Sequence, residues 1–299
     1  MRYLFSTLFS ACAIATMGWL SPAIAQSEIT MSNDSPSFQN REITANNIKV
    51  SVSYDKNEGS ANELRYTLYY NNQEQLTVTE DSTFMHGNVS FDDLDNNGTP
   101  EVIIQTYSGG AHCCTAYKVY TWQEGEFVLA ELGPADGGGG EFKDLNNDGN
   151  SEFITFDQNF FYAFSSYAGS FPPSIILAFR NGSFEEVTQQ YPQYIRSWAW
   201  QKYLRIRDNN YDTNGVLASY VADKILLGEF EEGWNFMLVH YDRDSDMEYN
   251  IYNDEGEVIG RHPDFPTALR AFLIDTGYLN RNGQPIRNPR LADNASLNF

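Results

Sequence analysis

From Ile48 onward, apolar and polar positions alternate with a period of two. The pattern runs over residues 48–54, 64–70 and 75–78, then 102–107, 116–122 and 127–132, and resumes over 153–156, 162–166 and 175–179. Successive strand side chains face opposite sides, so this spacing predicts half-buried β-strands. Glycine-rich turns break the runs, and Asn181-Gly182 reads as a hairpin turn or strand end. After Pro192 the period lengthens. Ile195, Trp198, Ala199, Lys202 and Tyr203 recur at helical spacing. Further helices are predicted over 216–227, capped by Asn214 and stopped by Gly228, over 230–238, and over 266–276, closed by Gly277. A small hairpin fits 248–252 and 258–259 around Asn253-Asp254-Glu255-Gly256. The expected fold class is α+β. Residues 26–45 read as a polar, flexible leader, 46–185 as a β-rich domain, and 186–299 as a mainly helical one.

Within the β-rich half a short acidic loop occurs twice, 51 residues apart. One copy runs from Asp93 through Asp95, Asn97, Gly98 and Thr99 to Glu101; the other runs from Asp144 through Asn146, Asp148, Gly149 and Asn150 to Glu152. Oxygen-bearing side chains fall at loop positions one, three, five and nine, with glycine at six. Hard divalent cations take six to eight oxygens at about 2.3–2.6 Å, and a tight turn with alternating carboxylates and amides supplies them. Three carboxylates within nine residues also repel one another unless a cation neutralises them. An EF-hand needs an acid at position twelve, where this chain has Ile104 and Thr155. The plainer reading is a pair of Asn/Asp/Gly turns without an ion; two copies in register favour the metal. The similarity extends outward: Gly87 matches Gly138, Phe91 matches Phe142, and Val102-Ile103 matches Phe153-Ile154.

At these residues the chain resembles the FG-GAP/VCBS repeat family. The resemblance covers about residues 87–158 and implies calcium loops between strands of propeller-like blades. The family's loop usually closes in aspartate, where this chain has glutamate twice. What it implies is two Ca2+ sites, built from Asp93, Asp95, Asn97, Thr99 and Glu101 and from Asp144, Asn146, Asp148, Asn150 and Glu152. A 51-residue period leaves room for about three units before residue 190. Closed propellers usually need at least four, so the expectation is a partial propeller-like arrangement. A third acidic cluster, Asp242, Asp244, Asp246 and Asn250, has Met247 where glycine is needed and reads as a solvated turn.

Composition adds a compartment. Arg2, an apolar run over 4–20 and Ala23-Ile24-Ala25 read as a signal peptide over residues 1–25. No later segment is long and apolar enough to span a bilayer. Residues 1–25 hold one cation and no acid, so their removal takes the net charge from −21 to −22. Such a field repels nucleic acid and anionic lipid and attracts divalent cations. With Cys12 gone, Cys113 and Cys114 remain, adjacent to each other, which excludes a disulfide-stapled scaffold.

His112, Cys113 and Cys114 follow Gly109 and Gly110 between two predicted strands. They admit three readings: a structural vicinal pair or buried thiols, a rigid ligand-contact knuckle, or a redox or transition-metal site. No nucleophile elbow, phosphate loop or dinucleotide fingerprint is present. Trp198, Trp200 and Tyr203 suit stacking on a sugar, although residues at this spacing usually belong to a core. The expectation is an exported, calcium-binding, non-enzymatic protein that binds or scaffolds a protein or glycan. A secreted hydrolase with unassigned carboxylates and a thiol- or metal-responsive sensor are the alternatives.

Overall fold

A computed structural model describes residues 28–32, 34–57, 62–80, 86–110, 112–208 and 213–286. The signal segment read from residues 1–25 lies outside the described residues. The β-rich half forms three antiparallel sheets, none of them closed. The first is the meander β2 (Phe38–Ala45), β3 (Ile48–Asp55), β4 (Glu63–Tyr70) and β5 (Gln73–Glu80). The second orders β1 (Glu28–Ser32), β6 (His86–Asp92), β7 (Glu101–Tyr107), β8 (Cys113–Gln123) and β9 (Glu126–Asp136). The third is β10 (Glu141–Lys143), β11 (Glu152–Phe156), β12 (Ser174–Arg180) and β13 (Ser183–Glu186). The β12–β13 turn is made by Asn181 at φ 50° and Gly182 at φ 79°, as the Asn-Gly signal predicts.

The sheets stack face to face. Val102 and Ile104 of β7 pack with Val50, Val52, Tyr66 and Leu68 of the first sheet. Ile103, between them, points the other way and packs with Phe153, Ile175 and Leu177 of the third. The second sheet is therefore a middle layer, which explains why β7 is apolar almost without alternation. The third sheet presents Ile176 and Ala178 to Tyr191 and Tyr194 at the start of the helical half.

That half contains α1 (Pro192–Arg207), α2 (Thr213–Leu226), α3 (Phe230–His240), the hairpin β14 (Asn250–Tyr252) and β15 (Val258–Arg261), and α4 (Phe265–Asp275). Every residue of α2 from Asn214 to Leu226 is buried, so α2 is the axis around which the others pack. No helix among the described residues is long and apolar enough to cross a membrane.

Three expectations change. Residues 26–45 are not a loose leader where described: β1 and β2 occupy them, and Ile29 and Met31 of β1 are fully buried beside β6. A short edge strand with two buried side chains is hidden in a polar sequence. Residues 162–166 are not a strand. They lie between two short 3-10 turns, Gln158–Phe160 and Tyr167–Gly169, and Phe160 and Phe164 enter the core of the helical half. Asn214 does not cap α2 but lies inside it. Its side chain accepts from Asp242 N at 2.9 Å and donates to Asp242 O at 3.1 Å and Tyr249 Oη at 3.0 Å, tying down the chain after α3.

Candidate metal centre

The first acidic loop joins β6 to β7. Asp93 folds it by accepting from Asn97 N at 3.0 Å and Gly98 N at 2.9 Å, and Asn97 Oδ1 accepts from Thr99 N at 2.8 Å. Gly98, at φ 86°, lets the chain double back. Glu101, the first residue of β7, is fully buried. Its two oxygens accept from Leu94 N at 2.8 Å and from the Thr121 hydroxyl at 2.9 Å. Oxygens of Asp93, Asp95 and Glu101 all lie within 4.8 Å of one another. Two ligands across an ion at about 2.4 Å each are about 4.8 Å apart, so these three fit around one cation. Asp95 Oδ1 is buried and has no hydrogen-bond partner. Burial pushes the Glu101 carboxyl up to about 7, against the two hydrogen bonds it accepts and with the help of the Asp95 and Asp93 charges. The loop thus concentrates negative charge that its own donors do not balance.

The second loop joins β10 to β11 and closes on itself. Asp144 accepts from Gly149 N at 2.9 Å and Asp148 N at 3.2 Å. Asp148 accepts from Asn150 N at 2.8 Å, Asn150 Nδ2 at 2.7 Å and Asn146 Nδ2 at 2.8 Å, and these bonds hold it below the usual carboxylate range. Glu152, buried like Glu101, accepts from Leu145 N at 3.1 Å. Among the described residues, three acids converge only in the first loop. The difference traces to position three, where Asn146 brings a donor to Asp148 and Asp95 brings none.

The loops lie side by side at one end of neighbouring sheets. Ser151 N donates to Leu94 O at 3.0 Å, and Asn46, in the β2–β3 turn, donates to Gly98 O at 2.9 Å. Asp95, Asn146, Asp148, Glu152, Arg180 and Tyr191 line a common cleft of about 370 Å³.

The His-Cys-Cys hairpin sits at the opposite end of the second sheet, between β7 and β8. Cys113 and Cys114 are placed as a vicinal disulfide pair at the start of β8. Ser108 holds the turn, accepting from Cys114 N at 2.7 Å and donating its own N–H to Cys114 O at 3.0 Å. The exposed His112 ring lies 4.1 Å from Tyr167, which also stacks on Phe161 at 4.9 Å. The His86 ring, at the same end of the sheet, stacks on Tyr107 at 4.7 Å. Sequence spacing gave no hint of Tyr167, which arrives from the connection between β11 and β12.

A family profile described as the sll0997 C-terminal domain matches residues 193–277, a span that holds all four helices and the small hairpin. Over 264 residues the chain is 34% identical to "Probable thylakoid lumen protein sll0997" of Synechocystis sp., covering 83% of this chain and 78% of that one. The chain belongs to the sll0997 family. A second relative, the protein y4bJ of Sinorhizobium fredii, is 29% identical over 214 residues, which span 66% of this chain and 34% of that protein. No solved structure matches. The family profile falls on the helical half, beyond both acidic loops. There α1 exposes Trp200 by 54% and Trp198 by 37%, although helical spacing favours a core role for both.

Proposed function

We propose that this sll0997-family chain is an exported, calcium-clipped, non-enzymatic protein that binds or scaffolds a partner at the cell envelope or outside the cell. The observation that carries the proposal is the first loop: three convergent carboxylates, one buried to the last atom and another with a buried, partnerless oxygen. Unbalanced charge of this kind is costly unless an ion satisfies it. Asp93, Asp95 and Glu101 hold the ion, with Asn97 and Thr99 completing the turn around it. Asp144, Asn146, Asp148, Asn150 and Glu152 form a second, weaker site, since Asn146 already offsets part of its charge. The three stacked meanders read as successive propeller-like blades, with the ions fastening the ends of the second and third.

Export is supported by the signal-like segment and by the relative described as a thylakoid lumen protein. The strong negative charge disfavours nucleic acid, and a protein or glycan is the fitting partner. Extracellular modules of this type bind calcium at about 10⁻⁴–10⁻³ M, and at ten times the dissociation constant each site adds about 1.4 kcal/mol. Calcium titration followed by scanning calorimetry tests this. The melting temperature should fall with chelator and return with calcium, and Asp95→Asn should remove most of that response. A well-folded protein whose melting curve ignores both chelator and calcium would end the metal reading.

A further inference from the structure

The cleft between α1, α2 and α3 has a wall and a rim of different chemistry. Trp200 stacks on Tyr203 at 5.1 Å and 18°, Tyr203 meets Phe236 at 5.4 Å, and Phe236 meets Tyr220 at 5.1 Å, so four rings make one continuous wall. All four line a cleft of about 340 Å³, within the range of small-molecule sites. The rim carries Arg196, Lys224 and Glu232. Its cations are already matched: Arg196 pairs with Glu229 at 2.7 Å, and Lys224 pairs with Glu229 and with Glu232, the latter at 2.8 Å. The rim is thus polar but close to neutral, which disfavours a strongly charged ligand. One group lacks a partner. Tyr220 is only 6% exposed, lines the cleft, and its hydroxyl makes no hydrogen bond among the described residues. That oxygen keeps contact with solvent, and a ligand hydroxyl placed there would take the place of water.

We infer that this cleft binds a neutral saccharide. A pyranose ring divides as the cleft does. Its C–H face packs on an aromatic plane, and its hydroxyl edge reaches hydrogen-bonding groups, here Tyr220 and the outer atoms of Glu232 and Arg196. Trp200, 54% exposed without ligand, is the platform that ring would cover. A flat aromatic ligand would also match the wall, but it would leave most of the polar rim uncovered. The inference deepens the binding-protein reading and rests on it, but it does not depend on the calcium loops.

Tryptophan fluorescence and calorimetric titration of the full chain with neutral gluco-, galacto-, manno-, xylo- and N-acetylglucosamine oligosaccharides test it. At least one series should bind saturably. Trp200→Ala should weaken that binding about tenfold or more, from loss of one stacking contact and its buried area. Tyr220→Phe keeps the packing and should weaken it about three- to tenfold through the hydroxyl alone. Trp198→Ala, outside the cleft, should leave affinity unchanged. Binding by none of the series, binding indifferent to Trp200→Ala, or binding of 2-naphthol in place of every saccharide would each overturn the inference. These results are separable from the calcium test, which reads melting temperature under chelator rather than affinity.

Discussion

Glu101 concentrates the physical problem of the first loop. Its carboxylate is fully buried, accepts two hydrogen bonds, and lies beside two further acids. Its folded value, about 7, is above the ordinary 4.5, so protonation favours the ion-free fold. That contribution is complete below about pH 4.5 and is lost as pH rises through about 7. In the calcium reading proposed above, the ion would compete with the proton for the same oxygens. The rise in melting temperature on adding calcium should therefore grow between about pH 5 and pH 7.5, measured by thermal melts at fixed calcium across that range. Glu101→Gln separates charge from shape. Its amide can still accept from Leu94 N and donate to the Thr121 hydroxyl, so the ion-free variant should be at least as stable as the parent at neutral pH. It should also lose the calcium response of this loop. A variant that keeps that response would remove Glu101 from the ligand set.

The loops and helices make separate demands as elements. Gly98 and Gly149 hold the same loop position at φ 86° and 90°, yet a Cβ at Gly98 meets open space, whereas one at Gly149 would lie 2.6 Å from Asn96 Nδ2. Gly98→Ala should cost about 1 kcal/mol of backbone strain. Gly149→Ala should cost a similar amount, because the atoms in its way belong to the tip of the exposed Asn96 side chain, which can swing aside; urea denaturation of both variants compares them. In the helical half, Lys202 of α1 meets Asp223 of α2 at 2.6 Å, with both side chains almost fully buried. Burial pushes Lys202 down and Asp223 up, each opposed by its partner. Lys202→Met alone strands the buried acid and should cost about 3–5 kcal/mol. Adding Asp223→Leu should restore much of that loss, since an apolar pair of similar size needs no compensation. If the double variant is as unstable as the single one in urea, the pair fixes helix register rather than merely cancelling charge.

At the scale of the molecule, sheets and helices share cores. Phe160 and Phe164 leave the β-rich half to pack among the helices, and Tyr278 donates to the buried Asp157 at 3.0 Å across 121 residues. The third sheet rests on Tyr191 and Tyr194 beside α1. Scanning calorimetry should therefore show one main transition, which calcium moves as a whole. Phe160→Ala should lower it by about 3–5 kcal/mol without splitting it. Two transitions, with calcium shifting one of them, would mean that the halves unfold independently. The aromatic cleft and the His112 hairpin also belong to this scale, because each is assembled from separate elements.

Local pattern alone was enough for the α+β class, most strands and helices, the Asn181-Gly182 turn and the paired acidic loops. Each depends on residues within a few positions of one another, where side-chain period and turn chemistry act directly. It also placed Asp93, Asp95 and Glu101 in one loop, since a nine-residue turn leaves them little room to separate. Tertiary structure decided what depends on distant neighbours. It made β1 an edge strand by supplying β6 and buried β7 on both faces by stacking a sheet on each. It drew residues 157–173 into the helical core, and it left Trp200 outside a core that helical spacing alone assigns to it. It also distinguished two loops of nearly identical sequence. In one an acid's oxygen is buried without a donor; in the other an amide supplies one, and only the folded geometry shows which charge goes unmet.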